Sequence, residues 1–398
     1  MVNSNKKIII INSGITFGLI TLFYIALQAK IISPDNHSNP YAGFNTPYYS
    51  SIDGRNKQND SLYQQRNNII TRTIQKVSPA VVGINVKEIR QYRSPYANDP
   101  FWRYFFGEGI YNQEIQGLGS GYIISPDGYI VTNDHVAGQG SEITVTLSNG
   151  EHYQAKIVGT DLTTDVCLLK IDGQNLPYVN LGDSDDIIIG EWAIAVGNPF
   201  GLFSISEKPT VTVGVISATG MNLSPVDNRY YLNMIQTDAS INQGNSGGPL
   251  VNSAGEVIGM NTIIYTANGS GGSIGIGFAI PINKVKSVIE ELKKSGKFDR
   301  DYWTGLRIQN VDKSIAEYFK LTRSYGVLIK EIIRNSPAEK AGFQVYDIVI
   351  EINGIKVDNS NTLIGLLQDY KTNDYVTFTL IRDGKKINKK MKLEHSND

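Results

Sequence analysis

A serine set among glycines, in Gly244-Asn245-Ser246-Gly247-Gly248-Pro249-Leu250, has the clearest capacity for chemistry in this chain. Flanking glycines let the backbone turn tightly with its amide N–H groups pointing inward. There they stabilise the oxyanion formed when the serine hydroxyl attacks a carbonyl. Alone, the run is also an ordinary Gly-rich turn. G-x-S-x-G equally describes a serine perched between a strand and a helix, but here Pro249-Leu250-Val251 continues as a strand. A serine nucleophile needs a base, usually histidine. Of the four histidines, His37 lies in a polar N-terminal stretch and His395 close to the C-terminus. His152 follows the Asn149-Gly150 turn, on the exposed face of an alternating strand. His135 remains, where the strand GYIVTN stops and the backbone can aim a side chain into a cleft. The third member must orient that imidazole and stabilise its cation. Asp161, Asp165 and Asp172 are candidates. Asp165 opens the strand DVCLLKI and is anchored at the edge of a core, whereas Asp161 and Asp172 read as solvated turn residues.

Cys167, the single cysteine, reads as a small buried hydrophobe. One cysteine excludes an intrachain disulfide and a Cys-based zinc site. Four dispersed histidines do not make a metal site either. The chemistry asks for no metal and no cofactor.

These residues need a scaffold. With 398 residues, at roughly 150 per domain, the chain has room for two or three domains. Hydrophobic content of 41% with 19% charged residues is enough for real cores and excludes wholesale disorder. Gly at 39 of 398 signals many turns, and the net charge of −1 lacks the basic excess of a nucleic-acid binder. From Val77 onward short β-type runs alternate with turn signals, including the hairpin pairs Asp127-Gly128 and Asn149-Gly150. Strands so closely spaced predict a mainly β protein of antiparallel barrels or sandwiches. The first helix is expected over 281–294, with Ile282, Val285, Val288, Ile289 and Leu292 in one stripe and Gly296 ending it. Beyond 297 comes a smaller α+β unit, with helices expected over 314–321 and 362–369. A closing hairpin turns at Asp383-Gly384, with its lysines on the solvent face.

At the N-terminus, Lys6 and Lys7 precede the apolar run 8–29, whose 22 residues would span roughly 33 Å as a helix. It reads as an uncleaved membrane anchor, with a cleaved signal peptide as the alternative. The leading lysines favour a cytoplasmic N-terminus and an exported remainder. Residues 31–73 read as a polar tether. The expected division is 1–30, 31–73, 74–296 and 297–398.

Several segments together resemble the HtrA/Deg family of exported serine proteases. They are VTNDHV around His135, TDVCLLKI around Asp165, TDASINQGNSGGPL around Ser246, GNPFG at 197–201 and GIGFAIP at 275–281. The resemblance implies a chymotrypsin-like double β-barrel with Ser246 as nucleophile, His135 as base and Asp165 as orienter. It also implies an oxyanion hole from the amides of Gly244, Asn245 and Ser246, and Ile241 and Ile276 at a pocket for small aliphatic residues. The C-terminal unit resembles one PDZ domain, with Trp303-Thr304-Gly305-Leu306 at the carboxylate-binding loop and Leu363 and Leu366 presented by the groove helix. Gly305 matches that loop's usual pattern; Trp303 and Thr304 depart from it.

The resemblance implies an ATP-independent endopeptidase for misfolded or signal-bearing exported proteins, in the periplasm, held to the inner membrane by residues 8–29 and built as homotrimers or their multiples. Its partners would be unfolded proteins or C-terminal peptides, and no nucleic acid. One PDZ domain plus an anchor is similar to the DegS-type layout and favours a regulatory protease of one membrane substrate. The aromatic run 99–107 is similar to the DegP/DegQ-type digestive proteases. A peptide-binding scaffold or chaperone is the third reading, disfavoured by a complete triad. After Ser217-Ala218-Thr219-Gly220 the family usually carries an arginine that relays activation. Here the residue is Met221, with Arg229 downstream. The expectation is weak activation by peptide, or an enzyme already substantially active without it, and most peptidase activity surviving loss of residues 297–398.

Overall fold

The computed structural model describes residues 66–93, 110–197, 209–242, 244–264 and 274–395. The apolar run 8–29, His37, most of the tether, the aromatic run 99–107 and residues 198–201 lie outside them. Residues from Arg66 onward belong to one compact unit. No helix among the described residues is long and apolar enough to cross a membrane.

Helix α1 (Ile69–Val77) leads into six strands: β1 (Val81–Arg93), β2 (Ile110–Ile123), β3 (Tyr129–Thr132), β4 (Glu142–Thr146), β5 (His152–Asp161) and β6 (Val166–Ile171). They close into a barrel in the order β1-β2-β3-β6-β5-β4. The short helix α2 (Asp134–Ala137) follows β3 directly. The second set is β7 (Asn180–Leu181), β8 (Trp192–Gly197), β9 (Thr210–Met221), β10 (Met234–Thr237), β11 (Pro249–Val251), β12 (Glu256–Ile264) and β13 (Gly277–Pro281). Its order is β11-β8-β9-β10-β13-β12, closed by β11 on β12, with β7 added to β12.

Strand parity explains why DVCLLKI and WAIAVG are apolar throughout rather than alternating. On β6, Cys167, Leu169 and Ile171 fill the first barrel with Val82, Ile84 and Ile130. Val166 and Leu168, on its other face, join Ile194, Val196, Met260 and Phe278 in a cluster shared by both barrels. On β8, Ala193 and Ala195 turn into the second barrel beside Ile216, Ile235 and Leu250. A strand buried on both faces reads as a continuous apolar run. Helix α3 (Ile282–Ser295) lays Ile282, Val285, Val288, Ile289 and Leu292 onto the shared cluster and ends at Gly296.

The C-terminal sheet contains β14 (Leu306–Asn310), β15 (Val327–Ile332), β16 (Ile348–Ile352), β17 (Ile355–Lys356), β18 (Tyr375–Arg382) and β19 (Lys385–Lys392). Helices α4 (Lys313–Tyr318), α5 (Pro337–Lys340) and α6 (Ser360–Leu367) accompany it. It is joined to the barrels by more than the connecting chain. Arg300 makes a bidentate ion pair with Asp161 at 2.6 and 2.7 Å and donates to the Gln368 carbonyl at 2.6 Å. Lys284 pairs with Asp369 and Lys371 with Glu291. Leu232, from the β9–β10 connection, is buried within the C-terminal core against Gly365 of α6.

Candidate active site

Asp165 sits immediately before β6, fully buried, with φ of 60°. Aspartate and asparagine tolerate this left-handed conformation better than other non-glycine residues. Its carboxylate is hydrogen-bonded by His135, Thr262 and Tyr231, with Arg229 Nε a further 3.3 Å ion contact. The His135 amide donates to Oδ1 at 3.0 Å, and His135 Nδ1 lies 3.0 and 2.8 Å from Oδ1 and Oδ2. Thr262 Oγ1 donates to Oδ2 at 2.8 Å and the Tyr231 hydroxyl at 3.2 Å. Asn133 Nδ2 holds the Asp165 carbonyl at 2.9 Å. With a carboxylate on Nδ1, that nitrogen carries the proton and Nε2 is left to accept one. Burial, with the Asp165 charge adding, pushes the Tyr231 phenol well above its usual range, so it stays a neutral donor.

Ser246 lies on a loop stitched to β2 and β12. The Ser120 amide donates to the Ser246 carbonyl at 3.0 Å and Ser120 Oγ to the Gly244 carbonyl at 2.5 Å. The Gly247 amide donates to the Asn261 carbonyl, and the Asn261 amide to the Gly248 carbonyl, each at 2.9 Å. Gly247, at φ 83°, admits no side chain: a Cβ there would lie 2.2 Å from the Ser120 carbonyl oxygen. The Ser246 hydroxyl donates to the Thr262 carbonyl at 3.0 Å rather than to His135. Thr262 therefore touches both ends of the site, its hydroxyl on Asp165 and its carbonyl on Ser246.

Of the three amides expected in the oxyanion hole, Gly244 and Ser246 donate to no described residue. The Asn245 amide closes a turn onto the Asn242 carbonyl at 2.9 Å and is thereby withdrawn. Ile241 is fully buried inside the second barrel, packed on Gly277, whereas half-buried Ile276 packs on the cluster shared by the two barrels.

Two expected turn aspartates differ from each other. Asp172 is exposed, but Asp161 is buried and paired with Arg300. Its turn context hid a partner 139 residues away in sequence. His152 is exposed beside Thr146, and His395 is exposed near Asp301. Burial, with the Asp134 and Asp165 charges adding, pushes the Cys167 thiol up to about 12, as suits an inert core residue. Among the described residues no cluster could hold a metal ion.

The C-terminal groove, of about 410 Å³, is lined by Tyr302, Trp303, Thr304, Gly305, Leu306 and, from α6, Ile364 and Leu367. Leu363 and Leu366 instead turn into the core, which corrects the expected phase of this helix. A helix apolar on several faces does not disclose which one packs inward. Gly305, at φ 73°, is required, because a Cβ would lie 2.0 Å from that of Ser336. Thr304 turns its hydroxyl onto the Leu306 amide at 3.3 Å.

Sequence reasoning passed over Ser120, Thr262 and Tyr231. Ser120 stands between Gly119 and Gly121, the one local sign that another backbone comes close. Thr262 and Tyr231 lie in strand and loop contexts with no distinguishing pattern.

The trypsin-like peptidase domain family matches residues 119–260 and the PDZ domain family residues 303–393. A probable periplasmic serine endoprotease, DegP-like, of Pseudomonas putida is 43% identical over 336 residues, covering 80% of this chain and 68% of that protein. The protein of the same description in Chlamydia muridarum is 38% identical over 392 residues, covering 91% and 77%. Among solved structures, the HtrA-type protease AlgW with decapeptide is 34% identical with a TM-score of 0.60, covering 82% of this chain and 98% of that one.

Proposed function

The chain belongs to the HtrA/DegP-like family of serine endoproteases, and from that premise we propose that Ser246, His135 and Asp165 are its nucleophile, general base and orienting carboxylate. The observation that carries this reading is the His135–Asp165 pair. It fixes the imidazole through Nδ1 at both carboxylate oxygens and leaves Nε2 for the serine proton.

Catalysis begins with a rotation of the Ser246 side chain, from the Thr262 carbonyl toward His135. Nε2 then takes the hydroxyl proton as Oγ attacks the scissile carbonyl, and returns it to the leaving amine. The amides of Gly244 and Ser246 receive the oxyanion. Asn245 contributes only if its turn opens. Ile241 and Ile276, at the positions where the family resemblance puts the pocket, would favour a small aliphatic residue before the scissile bond.

The PDZ groove suits the hydrophobic C-terminus of an extended peptide, added beside β14 and α6. Its carboxylate would meet the Trp303–Leu306 loop. The relatives' description as periplasmic supports the periplasm as its compartment, with misfolded or signal-bearing exported proteins as its substrates. Residues 8–29 anchor it to the inner membrane and trimers are its assembly; of the tether expected over 31–73, the residues from Arg66 onward belong instead to the compact unit, with α1 beginning at Ile69 and Thr73 buried against Ser253.

Casein hydrolysis tests the site. Ser246→Ala and His135→Ala should each abolish it, and the double variant should be no worse, because the two act as one unit. Cleavage by Ser246→Ala at the wild-type rate would refute the assignment.

A further inference from the structure

We propose that Arg229 is a positioning residue of the catalytic centre, holding the Asp165 carboxylate toward His135 while neutralising a second buried carboxylate, Asp134. This rests on the triad assignment above.

Arg229 closes a tight turn. Its amide and carbonyl exchange bonds with those of Val226 at 2.8 and 3.1 Å, across Asp227 and Asn228 with φ of 49° and 63°. Two successive left-handed residues fix the turn's shape. The adjoining Tyr230 amide is pinned to the Thr163 carbonyl at 2.9 Å, on the loop that carries Asp165. The side chain thus reaches inward from an anchored base. Nη2 donates to Asp134 Oδ2 at 2.8 Å, and Nε lies 3.3 Å from Asp165 Oδ1. Burial works against its charge, but the hydrogen bond to Asp134 and the charges of Asp165 and Asp134 raise its pKa above the usual value. Among the described residues Nε has no hydrogen-bond partner besides that ion contact, so this buried donor faces Asp165. An unsatisfied buried donor is costly, and a small rotation toward Oδ1 completes the bond.

The charge count gives the reason for a cation here. Asp134 and Asp165 are both buried, and both flank His135. Thr160 supplies a neutral hydrogen bond to Asp134 Oδ1, and Thr262 and Tyr231 supply neutral ones to Asp165. Cys167 on β6 is a neutral thiol, and Asp161 is matched by Arg300. Two carboxylates against Arg229 leave one negative charge to face the imidazolium, as a triad requires. Without Arg229 there would be two. The surplus charge would hold the imidazole protonated to higher pH, and Asp165 would lose a contact that fixes Oδ1.

The test uses the full chain with a peptide substrate, following kcat, KM and the pH dependence of kcat/KM. Arg229→Gln should lower kcat by about 10–100-fold, the scale of a small misplacement in an active site, with KM little changed. Its acid limb should move to higher pH by about half a unit or more. Arg229→Lys should recover part of the loss. Asp134→Asn alone should move the acid limb to lower pH, and Asp134→Asn with Arg229→Gln should bring both kcat and the limb back toward wild type. Should Arg229→Gln not fold, Asp134→Asn decides by the direction of its shift. An Arg229→Gln enzyme with wild-type kcat and limb, a double variant no better than the single, or an unmoved limb in Asp134→Asn would each overturn the proposal. Ser246→Ala, run in parallel, separates this failure from failure of the triad itself. If it retains activity, the triad is wrong; if it is dead while the Arg229 variants behave as wild type, only the present inference falls.

Discussion

Asp165 is the residue on which the most hydrogen bonds in the site converge, and that sets the expected cost of altering it. Asp165→Asn keeps a side chain that tolerates φ of 60°, so the loop should hold its shape while the imidazole loses its anion. A loss on the order of 10⁴-fold in kcat is expected, by analogy with other triads, with circular dichroism unchanged. Thr262→Val removes one of the neutral donors to Asp165 but keeps the carbonyl that receives the Ser246 hydroxyl. Its expected cost is smaller, about 10-fold in kcat at unchanged KM, the lower end for a lost buried hydrogen bond. A Thr262→Val enzyme as poor as Asp165→Asn would mean that the carbonyl has moved too and that the threonine holds the nucleophile loop itself.

Elements carry these residues, and α3 joins the barrels to the PDZ domain at a titratable contact. The hydrogen bond from Lys371 holds the Glu291 carboxyl below its usual range, with Lys294 adding and burial opposing. A carboxylate with a lowered folded-state pKa contributes stability above its unfolded value of about 4.3 and loses it as pH falls through the folded value. Glu291→Gln should therefore melt earlier than wild type at pH 7, by a few degrees at most for a partly exposed pair. That gap should close as the pH drops below about 4. A gap of constant size from pH 7 to pH 3 would count against the ion pair. The same elements mark what the sequence made legible. Hairpin turns at Asp127-Gly128, Asn149-Gly150 and Asp383-Gly384, and the stripe on α3, are local patterns, and local patterns survive translation into structure. The phase of α6 does not, because Leu363, Ile364, Leu366 and Leu367 are all apolar and only tertiary packing chooses among them. Asp161 is harder still. Nothing within several residues of it announces Arg300, whereas Ser246, His135 and Asp165 each sit in a motif long enough to be recognised.

Across the whole molecule, the PDZ domain holds the loops that carry the proposed triad. Asp161 stands four residues before Asp165 and is matched by Arg300, whose Nε is in turn bound to the carbonyl of Gln368 at the end of α6. Leu232 stands three residues after Arg229 and is buried in the PDZ core. Both tether points adjoin α6, which lines the peptide groove through Ile364 and Leu367. These contacts argue against the expectation, drawn from Met221 alone, that most peptidase activity survives loss of residues 297–398. Removing residues 297–398 would strip Arg300 from a buried carboxylate and expose Leu232, and an unpaired buried charge costs about 3–5 kcal/mol unless the loop moves to solvate it. The truncated enzyme is expected to lose 10-fold or more in kcat, and Asp161→Asn with Leu232→Ser in the truncated chain should restore part of it. A peptide with a free hydrophobic C-terminus should activate the full chain only to the extent that it binds the ordered arrangement more tightly than the disordered one, and its C-terminal amide should bind less well. Kinetics of the full and truncated chains, each with acid and amide peptide, distinguish the alternatives. A truncated enzyme with wild-type kcat would show that Arg300 and Leu232 fasten the PDZ domain in place without supporting the active site. The coupling would then have to run through some other contact.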